Sequence, residues 1–378
     1  MKPAVLQLID SFNQGGSERQ ALQLTRLLAG SDKYQVHLAS LSPEGSLRPT
    51  IEDLDLGEVP SFPLTSFYDA NAVRQLRRLV HWLKSSHIQI IHTHDFYTNV
   101  FGMAAGALAR LPVRVASMRE TAGMRSATQK KVQQVAYSLA HQIVANSEAV
   151  RSTLIGEGIA SDKIAVVYNG LDVARLIPEA TSRAEALSLL GLNVNENRRF
   201  ISIVANMRLE VKDYPMFLRS ARQVLGAEPT AAFLLAGEGE LTDSLRAMAI
   251  DLGIQDSTFF LGRCERVADL LSISEICVLS SKAEGFSNSI LEYMAAARPV
   301  VVTNVGGARE IVSEGETGYL VSSGDDATMA ARIISLLRNP DKAKEMGANG
   351  ERVVKEKFSC AAQLSRTESL YERLLQKS

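Results

Sequence analysis

The sequence predicts an α/β protein of two doubly wound domains, each with a parallel sheet covered by helices on both faces. Its 378 residues exceed what one hydrophobic core usually supports. Short, continuous apolar runs alternate with longer segments of helical period, a pattern typical of parallel strands buried on both faces. The alternation pauses after Gly170 and restarts at Phe200, so we expect two such domains.

The predicted strands are apolar runs, each followed by a helical segment. In the first half they are PAVLQLI, YQVHLASL, IQIIHTH, VRVASM, HQIVAN and KIAVVYN, and in the second half FISIVAN, AAFLLAG, STFFLG, EICVLSS and PVVVTN. The polar segment EATSRAEALSLLGLNVNENRR between the halves is interpreted as a crossover. We predict domains over 1–177 and 178–359, with a ligand cleft at the carboxyl ends of their strands.

Composition and charge argue against several classes of function. Lys and Arg total 41 against 42 Asp and Glu, so no nucleic-acid partner is expected. The three cysteines are scattered, which indicates a reducing compartment and argues against a Cys-based metal site. No apolar stretch approaches the ~18 residues of a membrane span, and the first apolar run is too short for a signal peptide core. We expect a cytoplasmic protein, at most peripheral on the inner face of a membrane.

The loop FNQGGSERQAL after the first strand is a candidate for holding a phosphorylated ligand. Gly15 and Gly16 let the backbone approach a ligand, and the helix that Ser17 starts presents free N–H groups to an anion. A structural explanation is equally good, because Ser17 and Gln20 have the spacing of a capping box. The G-x-G-x-x-G pattern of dinucleotide-binding proteins does not occur here.

The loop ANMRLEVK carries two cations, Arg208 and Lys212, just after the first strand of the second half. A planar guanidinium and a compact ammonium at a strand's carboxyl end suit a diphosphate. Charged loops are common, so a solvated loop with an ion pair to Glu210 or Asp213 explains the spacing as well.

Two carboxylates bracket the segment EGFSNSILE, Glu284 in the loop after EICVLSS and Glu292 further on. If a helix begins near Asn288, both face one cleft, into which the N–H groups at the start of that helix also point. Carboxylates accept paired hydroxyls, so a sugar and a ribose are natural ligands. Glu292 has an alternative role, since Ser289-x-x-Glu292 is itself a capping box.

Further motifs occur in a fixed order along the chain. EGFSNSILE is followed by AARPVVVTNVGGAREIV and TGYLV, and it is preceded by GGSERQALQL, NSEAVRSTL and VVYNGLD; KFS and LYERLL come last. Together they resemble the E-x7-E region and flanking segments of retaining GT-B glycosyltransferases of family 4, the group 1 class. The resemblance implies two Rossmann-like domains facing a cleft, with a C-terminal helix over 360–378 crossing back to the first domain.

The resemblance also implies roles at the matching positions. Glu284 would hold donor-sugar hydroxyls, Glu292 the ribose, and Arg208 with Lys212 the diphosphate. The other donor-binding positions that it implies are Gly15, Gly16, Phe286, Ser287 and Asn288. No metal or cofactor is implied, because cations and a helix dipole stabilise the leaving group.

The implied reaction moves a hexosyl or N-acetylhexosaminyl group with retention from a nucleotide-diphosphate donor, with UDP the expected nucleotide. The implied acceptor is a saccharide or lipid-linked saccharide in surface polysaccharide or glycoconjugate synthesis.

One position departs from the family pattern. After VRVASM many members carry a histidine that reaches the donor sugar, whereas this chain has Arg119 followed by Glu120. Arg119 either contacts the sugar or a phosphate as a further catalytic residue, or pairs with Glu120 without a chemical role. His92 and His94 precede it on one strand face, but two histidines without a nearby third ligand predict no metal site.

Two alternative functions and one surface stay open. A catalytically weak relative that binds a nucleotide sugar as a sensor or partner subunit fits the departure at Arg119. An NAD(P)-dependent oxidoreductase fits the architecture but lacks the fingerprint. The segment VRQLRRLVHWLKSSH is either an ordinary solvated helix face or a basic face for an anionic membrane, with Arg74, Arg77, Arg78 and Lys84 on its polar side.

Overall fold

The computed structural model describes residues 2–67, 69–120, 126–208 and 210–377. The chain forms two compact units, one of Met1–Gly170 with Cys360–Ser378 and one of Leu171–Ser359. The units divide at Gly170, earlier than the predicted boundary at 177. The turn Val173–Leu176 packs against helices of the second unit, which is why these residues belong to it.

The first unit contains a six-stranded parallel sheet. Its strands are β1 (Ala4–Ile9), β2 (Gln35–Ser40), β3 (Ile90–Thr93), β4 (Val113–Met118), β5 (Gln142–Ala145) and β6 (Ile164–Val166). They lie in the order β2-β1-β3-β4-β5-β6, and each neighbouring pair is parallel. Its helices are α1 (Gly16–Gly30), α2 (Ala70–Ser85), α3 (Phe96–Ala109), α4 (Ala127–Leu139) and α5 (Glu148–Gly156).

The second unit repeats this plan. Its strands are β7 (Arg199–Val204), β8 (Ala231–Ala236), β9 (Thr258–Gly262), β10 (Ser274–Leu279), β11 (Val300–Thr303) and β12 (Gly318–Val321), in the order β12-β11-β10-β7-β8-β9. Its helices are α6 (Arg183–Leu189), α7 (Tyr214–Ala227), α8 (Thr242–Asp251), α9 (Val267–Ile273), α10 (Asn288–Ala295), α11 (Ala308–Ile311), α12 (Asp326–Arg338) and α13 (Pro340–Lys357). All pairs are parallel, which confirms two doubly wound α/β domains.

The last helix, α14 (Cys360–Leu375), returns to the first unit, as predicted. Just before it, the Phe358 C=O accepts a hydrogen bond from the Leu171 N–H (2.8 Å). Tyr371 of α14 is fully buried in the first unit, and its ring meets the Tyr34 ring edge-on with 5.7 Å between centroids.

Burial on both faces of each sheet explains why the strands are continuous apolar runs. Val5 and Ile9 of β1 pack into one core cluster, whereas Leu6 and Leu8 pack into another. Successive side chains of a strand point to opposite faces, so an apolar residue is favoured at every position. Gln7 interrupts this run and is nevertheless fully buried. Within the described ranges, no helix is both long and apolar enough to cross a membrane.

Candidate active site

The loop 280–287 connects β10 to α10 in the second unit, where the sequence predicted the donor site. Ser287 caps α10, because its Oγ accepts a hydrogen bond from the Ile290 N–H (3.5 Å). The helix therefore begins at Asn288, which confirms the expected start. Its first N–H groups and its dipole favour negative charge at this end of the loop.

Glu292 lies half-buried on α10, and this helix is fixed to the end of β7. The Ser289 Oγ donates to the Val204 C=O (2.9 Å), and the buried Tyr293 hydroxyl accepts from the Val204 N–H (2.6 Å). Ser289 is thus bonded to β7, and the capping-box explanation of Glu292 is wrong. These bonds hold the helix, and with it Glu292, against the strand.

Glu284 and Lys212 are in direct contact. The Glu284 Oε1 accepts from the Lys212 Nζ (2.6 Å) and from the Ser281 Oγ (2.6 Å). The Lys212 and Glu284 side chains are only 18% and 13% exposed, so each charge depends on the other for compensation. The Ser280 Oγ donates to the Lys212 C=O (2.9 Å), which joins the loop after β7 to the loop after β10.

Lys212 does not form the solvated ion pair that was the alternative. Asp213 instead caps α7, where its carboxylate accepts from the Met216 N–H (3.4 Å). Arg208 lies on the same loop with an exposed side chain, and its N–H donates to the Asn206 Oδ1 (3.4 Å). The loop after β7 therefore holds one shielded and one exposed cation.

The loop after β11 supports the loop 280–287, a role that the sequence analysis missed. The Gly307 N–H donates to the Gly285 C=O (3.0 Å). Gly306 adopts a φ of 53°, and a Cβ placed on it would lie 1.8 Å from the Glu284 carbonyl oxygen. Only glycine permits this approach, so Gly306 fixes the backbone that carries Glu284.

In the first unit, α1 begins at Gly16 and is capped by Gly15, one residue earlier than predicted. The capping-box explanation of this loop is wrong, since the Gln20 Nε2 donates to the Gly170 C=O (3.0 Å). The Glu18 carboxylate lies over the start of the helix, where a Cβ on Gly15 would come within 2.0 Å of its oxygen. An anion bound here would meet that carboxylate as well as the helix N–H groups.

A cavity of about 360 Å³ lies beside this helix start. It is lined by Asp10, Ser17, Glu18, His94, Asp95, Phe96, Tyr97, Ser117, Arg119, Glu120 and Gln129. Burial raises the pKa of the Asp10 and Glu18 carboxyls, and it raises the pKa of Asp95 to about 7. Neighbouring carboxylates make this cavity a place for hydroxyl groups rather than for anions.

Arg119 is the basic side chain of the cavity wall. Its Nη1 donates to the Asn169 Oδ1 (2.9 Å) and its Nη2 to the His94 Nδ1 (3.2 Å). Its Nε is buried without a partner among the described residues. Burial lowers the pKa of Arg119 to about 10, which leaves it charged at neutral pH.

His92 and His94 stack with 4.5 Å between ring centroids. The His92 ring bonds to Tyr371 and Ser117, and the His94 ring bonds to Gln7 and Arg119. Burial lowers the pKa of His92 to about 3 and that of His94 well below its usual range, so both rings are neutral. Among the residues that the structure describes, no group of three His, Cys, Asp or Glu could hold a metal ion.

Glu284, Lys212 and Arg119 were predicted from the sequence, whereas Asp10 and Asp95 were not. Asp10 directly follows the buried strand β1, and Asp95 lies two residues beyond β3; a carboxylate in the loop after a buried strand is also the signal that identified Glu284. Tyr371 gave no signal, because a tyrosine on an amphipathic helix is usually a core residue.

Two doubly wound domains of this kind are the architecture of the GT-B class of glycosyltransferases. The chain matches two family models, Glycosyltransferase Family 4 over residues 14–175 and Glycosyl transferases group 1 over residues 191–353. The protein belongs to the group 1, family 4 glycosyltransferases.

Individual relatives differ in what they are named for. N-acetyl-alpha-D-glucosaminyl L-malate synthase of Bacillus anthracis is 31% identical over 182 residues, which are 48% of this chain and 47% of that relative. The chain thus aligns with about half the length of that relative. UDP-Gal:alpha-D-GlcNAc-diphosphoundecaprenol alpha-1,3-galactosyltransferase of Escherichia coli is 24% identical over 333 residues, 80% of this chain and 84% of the relative.

A solved structure shares the fold over the whole chain. The crystal structure of Anabaena Alr3699/HepE in complex with UDP superposes with a TM-score of 0.86 at 19% identity, covering 99% of this chain and 100% of the other.

Proposed function

We propose that the protein transfers a sugar, with retention, from a UDP-sugar to a hydroxyl of a saccharide or lipid-linked saccharide. The shielded contact between Lys212 and Glu284 carries this proposal. An ammonium that suits a phosphate and a carboxylate that suits sugar hydroxyls lie side by side there, in the loops after β7 and β10. An ammonium has three donors and a carboxylate accepts several bonds, so both groups can contact a ligand while they contact each other.

The proposed roles follow from position. Glu284 holds hydroxyls of the transferred sugar, and Glu292 holds the ribose. Arg208 and Lys212 neutralise the diphosphate. The remaining donor contacts are proposed at Phe286, Ser287 and Asn288, and at Gly15 and Gly16 with hydroxyls of the transferred sugar, because Glu18 beside these glycines disfavours a phosphate. The Phe286 side chain is buried against Phe358, so the proposed contact is through its backbone N–H.

The transfer needs no metal in this proposal, because the cations and the start of α10 stabilise charge on the leaving group. The acceptor oxygen bonds to the anomeric carbon on the face from which the diphosphate leaves. The bond between that carbon and the phosphate oxygen breaks, and the acceptor's proton passes to the leaving phosphate.

We place the acceptor sugar in the cavity of the first unit. The carboxylates of Asp10, Glu18 and Asp95 accept hydrogen bonds from hydroxyls and repel a carboxylate or phosphate. This charge favours a neutral sugar ring over a small acid such as the malate in the name of the Bacillus anthracis synthase. A glucoside should therefore be a better acceptor than the matching glucuronoside.

Calorimetric titration of UDP, GDP and NAD without added metal tests the donor site. We expect UDP to bind, and Glu292→Ala to weaken binding about 10–100-fold because bonds to a charged group are lost. Glu316→Ala, an exposed glutamate of the same unit, is the matched control and should leave binding unchanged. Binding of NAD alone would favour an oxidoreductase, and equal affinities of wild type and Glu292→Ala would remove the ribose role.

Turnover separates an enzyme from a sensor or partner subunit. We expect release of UDP from a UDP-sugar, accelerated by a glycoside acceptor, with the product linkage read by NMR. UDP binding without such release from any UDP-sugar would support the non-catalytic alternative.

The basic face of α2 supports peripheral attachment to an anionic membrane. Arg74, Arg77, Arg78 and Lys84 are exposed there, and no carboxylate within the described ranges forms an ion pair with them. Each basic residue near an anionic surface contributes about 1 kcal/mol. Arg74→Glu with Arg77→Glu should abolish sedimentation with phosphatidylglycerol vesicles at low salt. Equal sedimentation of wild type with phosphatidylcholine vesicles would refute an electrostatic origin.

A further inference from the structure

One continuous chain of hydrogen bonds crosses the first unit. It runs from Arg119 through His94 (3.2 Å), Gln7 (2.7 Å), Tyr371 (3.0 Å) and His92 (2.6 Å) to Ser117 (2.8 Å). Every member after Arg119 is at least 98% buried. Five members lie on β1, β3, β4 or the residues that follow them, and Tyr371 comes from α14 at the other end of the sequence.

The chemistry of its members gives the chain a direction. Arg119 has only N–H donors, so His94 must accept at Nδ1 and carries its proton on Nε2. That Nε2–H donates to the Gln7 Oε1, which leaves the Gln7 Nε2 to donate to the Tyr371 oxygen. The Tyr371 hydroxyl then donates to the His92 Nδ1. Both histidines are therefore Nε2–H tautomers.

Tyr371 is the link that sets this direction. Its oxygen is the acceptor that fixes the orientation of the Gln7 amide, and its hydroxyl donates the hydrogen bond that the His92 Nδ1 accepts. Without the hydroxyl, the Gln7 Nε2 is buried without an acceptor, and rotation of the amide presents an N–H to His94. His94 would then carry its proton on Nδ1, opposite the N–H groups of Arg119.

We propose that Tyr371 of the C-terminal helix is a positioning residue, which orients Arg119 in the cavity wall by fixing the tautomer of His94. The effect on turnover rests on the proposed function, whereas the effect on the tautomer does not. The tautomer is therefore measured separately from activity.

The test compares Tyr371→Phe with Tyr34→Phe in the full chain. The two rings contact each other edge-on, but the Tyr34 hydroxyl does not belong to the chain of hydrogen bonds, so Tyr34→Phe is the matched control. Ring-nitrogen NMR reports the tautomers, and with six histidines the spectrum can be assigned by single substitutions. We expect Nδ1–H character to appear at His94 in Tyr371→Phe only.

Kinetics provides the second readout. For the UDP-sugar that wild type turns over fastest, Tyr371→Phe should lower kcat about 10–100-fold because a reacting group is misplaced, with the UDP Kd unchanged. The double variant Arg119→Lys with Tyr371→Phe should lower kcat little more than Arg119→Lys alone, because both residues act through the same chain of hydrogen bonds. In the Tyr34→Phe background, Arg119→Lys should lower kcat by the same factor as it does in wild type.

The outcomes separate the positioning role of Tyr371 from the role of Arg119 in turnover. An unchanged His94 tautomer in folded Tyr371→Phe would overturn the positioning role. A changed tautomer with unchanged kcat would retain the structural link but refute a role of Arg119 in turnover. Additive losses in the double variant would also overturn the proposal.

Discussion

Asp95→Asn should make the protein more stable, and the gain should depend on pH. Asp95 caps α3, accepting from the Thr98 N–H (2.9 Å), and asparagine caps a helix equally well. Burial, together with the charges of Asp10 and Glu18, raises the pKa of Asp95 to about 7 from its ordinary 3.8. The substitution therefore removes a buried negative charge without removing the cap.

The sign and size follow from proton binding. Between pH 4 and pH 7 the folded state keeps a proton on Asp95 that the unfolded state has lost, so wild-type stability falls as pH rises through this window. The shift of about three pKa units corresponds to at most about 4 kcal/mol at 1.36 kcal/mol per unit. Water reaches part of the side chain and Asp10 and Glu18 titrate with it, so we expect about half, ~2 kcal/mol.

Urea unfolding of wild type and Asp95→Asn at pH 4 and pH 8 measures this difference. The variant should match wild type at the lower pH and gain ~2 kcal/mol at the higher, equivalent to about 4–8 °C in Tm for a unit of this size. Asp69→Asn is the matched control, because Asp69 caps α2 but accepts from the Thr65 hydroxyl, which lowers its pKa. Its effect should have the opposite sign. A gain at Asp95 that is equal at both pH values would refute the reasoning.

Two further substitutions test the donor loop. Lys212→Met leaves the Glu284 carboxylate without its cation, so the free energy of unfolding in urea should fall about 1.5–3 kcal/mol and turnover should fall about 10²–10³-fold. The control is Lys282→Met, on the exposed part of the loop. Full turnover of Lys212→Met would contradict the proposed role of Lys212 at the diphosphate. Gly306→Ala should weaken UDP binding at least about tenfold because the new Cβ displaces the loop of Glu284. Gly315→Ala has a similar positive φ but open space, so normal UDP binding there together with loss at Gly306 would separate the clash from backbone strain.

The fold was predictable because both sheets are parallel and buried on both faces, so every strand is marked by its own apolar run. The start of α10 at Asn288 was predictable for a related reason, since a cap and an amphipathic helix are local features. The two capping-box alternatives failed because Gln20 and Ser289 bond to distant backbone groups, Gly170 and Val204. Spacing alone does not reveal such tertiary partners.

The first unit's cavity was harder to predict than the donor loop. Asp10 and Asp95 resemble ordinary polar residues at strand ends, and only the strand order brings β1 beside β3. The role of Tyr371 depends on α14 returning across the whole sequence to meet Gln7. Gln7 was visible as a polar residue in an apolar strand, but its partners were not.

The cavity of the first unit is lined by four carboxylates and one guanidinium although the whole chain is almost neutral, and this should restrict the acceptor. When Asp95 loses its proton near pH 7, the cavity gains a negative charge beside Asp10 and Glu18. Discrimination against an anionic acceptor should therefore increase between pH 6 and pH 8, by about 1 kcal/mol for one added charge at partly screened range. The ratio of kcat/KM for a glucoside to that for the matching glucuronoside measures it, and Asp95→Asn should abolish the change. A ratio that does not vary with pH in wild type would place the acceptor ring elsewhere.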